Sequence, residues 1–394
     1  MKYFGLFFLF LVAFDPQVPF LPSGVGFTFV VAIILFLPVL RALVSGQEDY
    51  VYFSDGVKGF FMLYVLSLAF IVIRILLNGG EGATFLLAWA RAFFVFLSVF
   101  FVYVIFYSNK NLAFFFSSLL FVYVLNAVIN ILSGSLPSYF FVLDYFRGDS
   151  SGYSNSLGGN PYRDSFLAGS GYYSIGTAYG LIATLFVSHM IRERAANICT
   201  ILGLVLVVFS GFIAARTSFF AIALVFLYAL SIRPFFAFII LFLGALVLYL
   251  LLKLPGLGVY QMWMLSFFDI QDNPSAKYLI DSMYFWPGLS VMFIGEGVVN
   301  DGGFAYTDSG YMKDLLFGGL FFLIIKMCFL MVFVSRLLKF FPILVLIFAS
   351  SVLVFHFKGQ FIYNNAQGMA AFFFSYLYLT AACRYDQSSR EIGG

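Results

Sequence analysis

Charge is what this sequence has least of. Only 10% of its 394 residues are Asp, Glu, Lys or Arg, against roughly 25% in an ordinary soluble domain. The net charge of +3 excludes nucleic-acid binding driven by overall charge. Cysteine is scarce as well. Cys199, Cys328 and Cys383 all fall inside apolar runs, which argues against a disulfide framework and leaves the redox compartment open. No HExxH, Walker or CxxC pattern occurs, so zinc and nucleotide chemistry have no support. A small-x-small cleavage site is also missing after the first apolar run, where Asp15-Pro16-Gln17-Val18-Pro19 follows. The expectation is a retained first helix rather than a signal peptide.

What the chain has instead is apolar surface. Hydrophobic residues make up 63% of it and aromatic residues 22%, more than a soluble core of this size can hide. The expected fold class is an all-α polytopic membrane protein, a single integral membrane domain over 1–394. A helix needs about 20 apolar residues to cross the hydrocarbon layer. Polar, Gly and Pro clusters then divide the chain into twelve expected transmembrane helices: 3–21, 24–44, 59–77, 85–107, 112–132, 171–189, 198–214, 217–232, 235–254, 315–335, 340–357 and 366–383. The stretch 198–232 is read as two short spans because Arg192 and Arg194 precede it and Arg233 follows it. Basic flanks prefer the cytoplasmic side, so the chain must cross twice between them. Twelve crossings place both termini in the cytoplasm. Two long loops, 133–170 and 255–314, then face the periplasm and are rich in Gly, Ser, Asn, Tyr and Asp. Long loops of this kind usually carry function.

Several charges stand out against this background. Arg74 lies near the outer end of the third span, Arg91 about 9 Å inside the fourth at 1.5 Å per residue, and Lys326 near the middle of the tenth. Such residues are costly in lipid and are usually paired or functional. Arg74 and Arg91 can converge beneath the outer surface, or each can snorkel to the headgroups; Lys326 has no partner legible in the sequence. Arg216 sits in the turn Ala214-Ala215-Arg216-Thr217, before Thr217-Ser218, which read as helix-capping residues. A guanidinium beside a helix start makes an anion site; the competing reading is an arginine capping a hairpin at the headgroups. Arg147 and Arg163 lie in the first long loop, each with an Asp nearby. Asp308 stands directly before the tenth span, where a carboxylate can act as a general base or simply cap the helix. His189 and His356 are read as interface histidines. Asp269 and Asp272 form a DxxD pair too common by chance to suggest a metal-diphosphate motif, and no metal is expected.

Three segments bear a family resemblance. "VVFSGFIAARTSFFAIALVFLYAL" resembles the arginine-bearing hairpin of Wzy-type O-antigen polymerases and related ligases. "TDSGYMKDLLFGGLFFLI" resembles the end of their large outer loop, and "NPYRDSFLAGSGYYSIGTAYG" an Arg-containing segment before a span. The turn here reads Ala-Ala-Arg rather than Ser-Arg. The ligases use a histidine in the second large loop, and 255–314 contains none, which favours a polymerase. The resemblance implies transfer of a growing glycan from undecaprenyl pyrophosphate to the terminal sugar hydroxyl of a lipid-linked repeat unit, at the periplasmic face of a bacterial inner membrane. It implies no cofactor, a lipid-linked oligosaccharide substrate, and a chain-length regulator as protein partner. Asp308 would be catalytic. Arg216, Arg91, Arg74, Arg163, Arg147 and Tyr311 would bind pyrophosphate and glycan. The alternatives are a secondary transporter and an O-antigen ligase-like glycosyltransferase.

Overall fold

Apolar runs and the polar residues that interrupt them set the helices. The computed structural model describes residues 2–16, 21, 25–44, 54–78, 82–108, 111–135, 172–193, 197–251, 253, 283–297 and 307–392. Among them every regular element is an α-helix. In chain order these are α1 Lys2–Phe14, α2 Phe27–Val44, α3 Ser54–Leu77, α4 Ala83–Phe106, α5 Leu112–Ser135, α6 Tyr172–Glu193, α7 Ile198–Ala214, α8 Ser218–Ile232, α9 Pro234–Leu251, α10 Leu289–Ile294, α11 Gly310–Leu337, α12 Pro342–Lys358 and α13 Ala366–Ile392. Five of them (α3, α4, α5, α6 and α11) are long and apolar enough to cross a membrane, and shorter apolar helices accompany them. This is a membrane-embedded helical protein.

Two elements depart from expectation. The first apolar run was expected to stay helical to residue 21, but α1 ends at Phe14. Asp15 turns out of the helix with φ 44°, before a proline that disfavours helical geometry in the residue it follows. Its carboxylate accepts the Thr28 N–H at 2.9 Å, at the start of α2. The short helix α10 lies where only loop was expected, inside 255–314.

The chain forms two compact units: residues 1–44, 95–265 and 366–394 in the first, and 45–94 and 266–365 in the second. The first is built around α6, which packs on α7, α8 and α13 and is buried along almost its whole length. Small residues let the backbones approach. A Cβ added at Gly176 would lie 2.4 Å from the Ala215 Cβ, and one at Gly211 would lie 3.1 Å from the Tyr179 Cβ. At the end of α1, the Phe14 carbonyl accepts the Gln367 side-chain N–H at 2.8 Å, which satisfies a group that a helix terminus would otherwise leave open.

In the second unit α11 packs on α3, α10 and α12. It is two helical pieces joined at Gly319, whose φ of 65° and ψ of −162° are not helical. The break frees the carbonyls of Leu316 and Phe317. They accept the N–H groups of Glu296 and Gly297 at 2.7 and 2.9 Å, from a strap that follows α10. The end of α10 comes so close that a Cβ at Gly319 would sit 2.3 Å from the Phe293 carbonyl oxygen. Glycine at this position meets both demands, left-handed φ and close approach.

Candidate functional site

In the first unit, three residues, Ala215–Thr217, connect α7 to α8. Thr217 occupies the N-cap position but makes no side-chain capping bond, because its backbone already has helical angles (φ −61°, ψ −25°). The turn closes on itself instead. The N–H groups of Ser218, Phe219 and Phe220 donate to the carbonyls three residues earlier, at 3.0, 3.1 and 3.2 Å. The expected site built on free helix amides is thereby corrected, since these donors are engaged. What the turn offers is the half-buried Arg216 and the hydroxyls of Thr217 and Ser218, neither of which has a hydrogen-bond partner.

The second unit holds a charged cluster in its interior. Lys326, whose partner could not be read from the sequence, donates to Asp314 at 2.5 Å, with both side chains fully buried. Asp314 also accepts the Gln360 amide at 3.0 Å and the His356 Nε2–H at 2.9 Å. His356 Nδ1 accepts the Phe361 N–H at 3.2 Å, so the ring proton belongs on Nε2. Both ring nitrogens are engaged, and the ring orients the carboxylate; it is not free to serve as a base. The rings of Phe322, Tyr363 and Phe85 lie 4.9, 4.9 and 5.3 Å from the Lys326 ammonium. Ring faces and carboxylate together replace the water that a buried cation loses.

The two histidines correct their sequence reading. His356 is fully buried in this cluster rather than at an interface. His189 is buried on α6, stacked 3.6 Å from Phe116 and hydrogen-bonded to the Tyr378 hydroxyl. Neighbouring helices wrap α6 and leave this histidine 6% exposed.

Asp308 lies just above the cluster in sequence. Ser309 is the N-cap of α11 and accepts the Met312 N–H. The Asp308 carboxylate is 42% exposed, 3.7 Å from the Lys313 ammonium. The approach to it is held rigidly. Ser309 donates to the Tyr284 hydroxyl, which donates to the Phe357 carbonyl, each at 2.7 Å, and the Tyr284 ring stacks on Phe357. Burial pushes the Tyr284 phenol up to about 12, so it keeps its proton and this donation. Tyr311 donates to the Leu353 carbonyl at 3.1 Å and presents its ring edge-on to His356.

Arg74 is 9% exposed and does not snorkel; its Nη2 donates to the Gly295 carbonyl at 2.9 Å, while its buried Nε has no partner. Asn78 holds the neighbouring Glu296 carbonyl. Arg74 therefore fixes the strap that fills the break in α11. Arg91 is half-buried on α4. Arg147 and Arg163 lie outside the described residues. Sequence reasoning missed Asp314, whose only signal was a carboxylate one turn before Gly318-Gly319 and a lysine beyond it. Comparison with protein-family models and with curated proteins finds no match.

Proposed function

We propose that the protein is a surface-polysaccharide polymerase of the Wzy type, with twelve spans, both termini in the cytoplasm and the loops 133–170 and 255–314 at the periplasmic face. The observation that carries this reading is Arg216. A guanidinium occupies a three-residue turn between two short apolar helices, beside the Thr217 hydroxyl, which has no partner. An arginine fork with an adjacent hydroxyl donor suits the oxygens of a lipid-linked pyrophosphate. In the proposed reaction the acceptor sugar hydroxyl attacks the anomeric carbon of the growing glycan. The bond from that carbon to the pyrophosphate oxygen breaks, and the electron pair leaves with undecaprenyl pyrophosphate. Arg216 in the first unit stabilises the departing charge, and the hydroxyl proton goes to a general base, the role that the family resemblance gives to Asp308. The family resemblance also gives Arg91, Arg147, Arg163 and Tyr311 parts in binding pyrophosphate and glycan.

The test is the ladder of lipid-linked and surface glycan from cells that carry Arg216→Ala at wild-type abundance. Loss of polymer with accumulation of single repeat units supports the reading. A full ladder removes it.

A secondary transporter is the second reading. On its side stands the break in α11 between two buried charges, a feature of helices that line transport sites. A transporter mutant lacks outward-facing substrate altogether, whereas a polymerase mutant displays single units there.

A further inference from the structure

Serine and threonine hydroxyls inside helices usually donate to a carbonyl three or four residues earlier. This protein follows that habit widely: Ser67, Ser98, Ser118, Thr184, Ser351 and Ser375 all do so. Ser210 on α7 does not. It is fully buried in mid-helix, with the carbonyls of its own turn in reach, and its hydroxyl has no partner. Ser218 at the start of α8 and Tyr123 on α5 are equally buried, and their hydroxyls are equally without partners. A buried hydroxyl that makes no hydrogen bond costs free energy, and native structures rarely keep one without use.

These groups belong to one helix cluster. α6 packs on α5, α7 and α8. A Cβ at Gly211, the neighbour of Ser210, would meet the Ser218 Oγ at 3.3 Å and the Tyr179 Cβ at 3.1 Å. Tyr179 in turn sets its ring edge-on to Tyr123, with centroids 5.3 Å apart, and donates to the Tyr123 carbonyl. Asn126 and Asn130 follow Tyr123 at positions i+3 and i+7, on the same face of α5, and are fully buried too. Arg216 stands two residues before Ser218.

We propose that Tyr123, Ser210 and Ser218 form a subsite for the neutral, hydroxyl-rich sugars of the lipid-linked glycan, inside the first unit and next to the pyrophosphate turn. The proposal rests on the polymerase reading and deepens it. Hydroxyls and carboxamides both donate and accept, as a polyol does, and they carry no charge. The hydroxyls that lack partners within the protein find them on the ligand.

The test combines Tyr123→Phe, Ser210→Ala and Ser218→Ala, singly and together, with Arg216→Ala in the same cells. Each of the three changes removes only a hydroxyl that has no partner in the folded protein. Melting temperature in detergent should therefore stay level or rise. Polymer yield should fall, by on the order of a hundredfold for the triple variant if each lost ligand hydrogen bond is worth about fivefold. A full ladder from the triple variant overturns the proposal, and so does a lost ladder accompanied by a clear drop in melting temperature. If Arg216→Ala abolishes polymer while the triple variant does not, the subsite falls and the polymerase stands. If neither changes the ladder, both fall.

Discussion

Asp314 and Lys326 lie twelve residues apart in one helix, yet carboxylate and ammonium meet at 2.5 Å. In an unbroken helix that separation is about 18 Å of rise, roughly twice what the two side chains together can reach. The break at Gly319 closes the difference. The ion pair and the break therefore depend on each other: straightening the helix would strand both charges in an apolar interior.

Removing one partner should be far worse than removing both. Lys326→Met leaves a buried carboxylate without its cation and is expected to cost about 3–5 kcal/mol. Asp314→Asn should cost a similar amount. The double variant Asp314→Asn/Lys326→Met should recover most of the loss. Thermal unfolding of the four proteins in detergent forms a double-mutant cycle, and additive losses would show that the pair is not coupled.

Gly319→Ala should be destabilising by about 2 kcal/mol or more, through strained φ and collision with the Phe293 carbonyl. Gly244→Ala is the control, because nothing lies within 4 Å of its added Cβ. Equal melting temperatures for the two variants would count against the break as described.

Arg74→Ala should loosen the strap. The Glu296 and Gly297 amides, bonded to Leu316 and Phe317, should exchange hydrogen about tenfold faster, given roughly 1.5 kcal/mol or more for a bond from a charged donor. Unchanged exchange would mean that the backbone bonds alone hold the strap.

Asp308→Asn should shorten the glycan ladder without lowering the melting temperature. Ser309 is the N-cap of α11, and the Asp308–Lys313 pair at 3.7 Å is 42% exposed on the Asp308 side, where an ion pair adds little to stability. A parallel fall in stability and chain length would identify it as a structural group.

Much of the helical layout was legible, because apolar runs broken by Gly, Pro and charge leave few alternatives in a membrane. Arg216 and Asp308 were legible as charges beside helix ends. What the sequence concealed depends on tertiary geometry. Local spacing places Asp314 and Lys326 beyond each other's reach, and only the left-handed glycine between them brings the two together. Thr217 and Ser218 have the composition of a cap, but their backbone angles remove that role. For His189 and His356, position near a span end suggested water, whereas the packing of neighbouring helices decides otherwise.

The central position of α6 has a consequence for synthesis. It is the least apolar of the five long helices, since a helix enclosed by protein need not dissolve in lipid. Alone, it has the weakest drive to leave the translocon sideways. Its partners α7 and α8 follow at once, but α13, which also packs against it, emerges far downstream. Until then one side of α6, with its serines and threonines, faces the bilayer or a chaperone. The first unit is thus sealed by a late arrival, and its assembly has to wait for it.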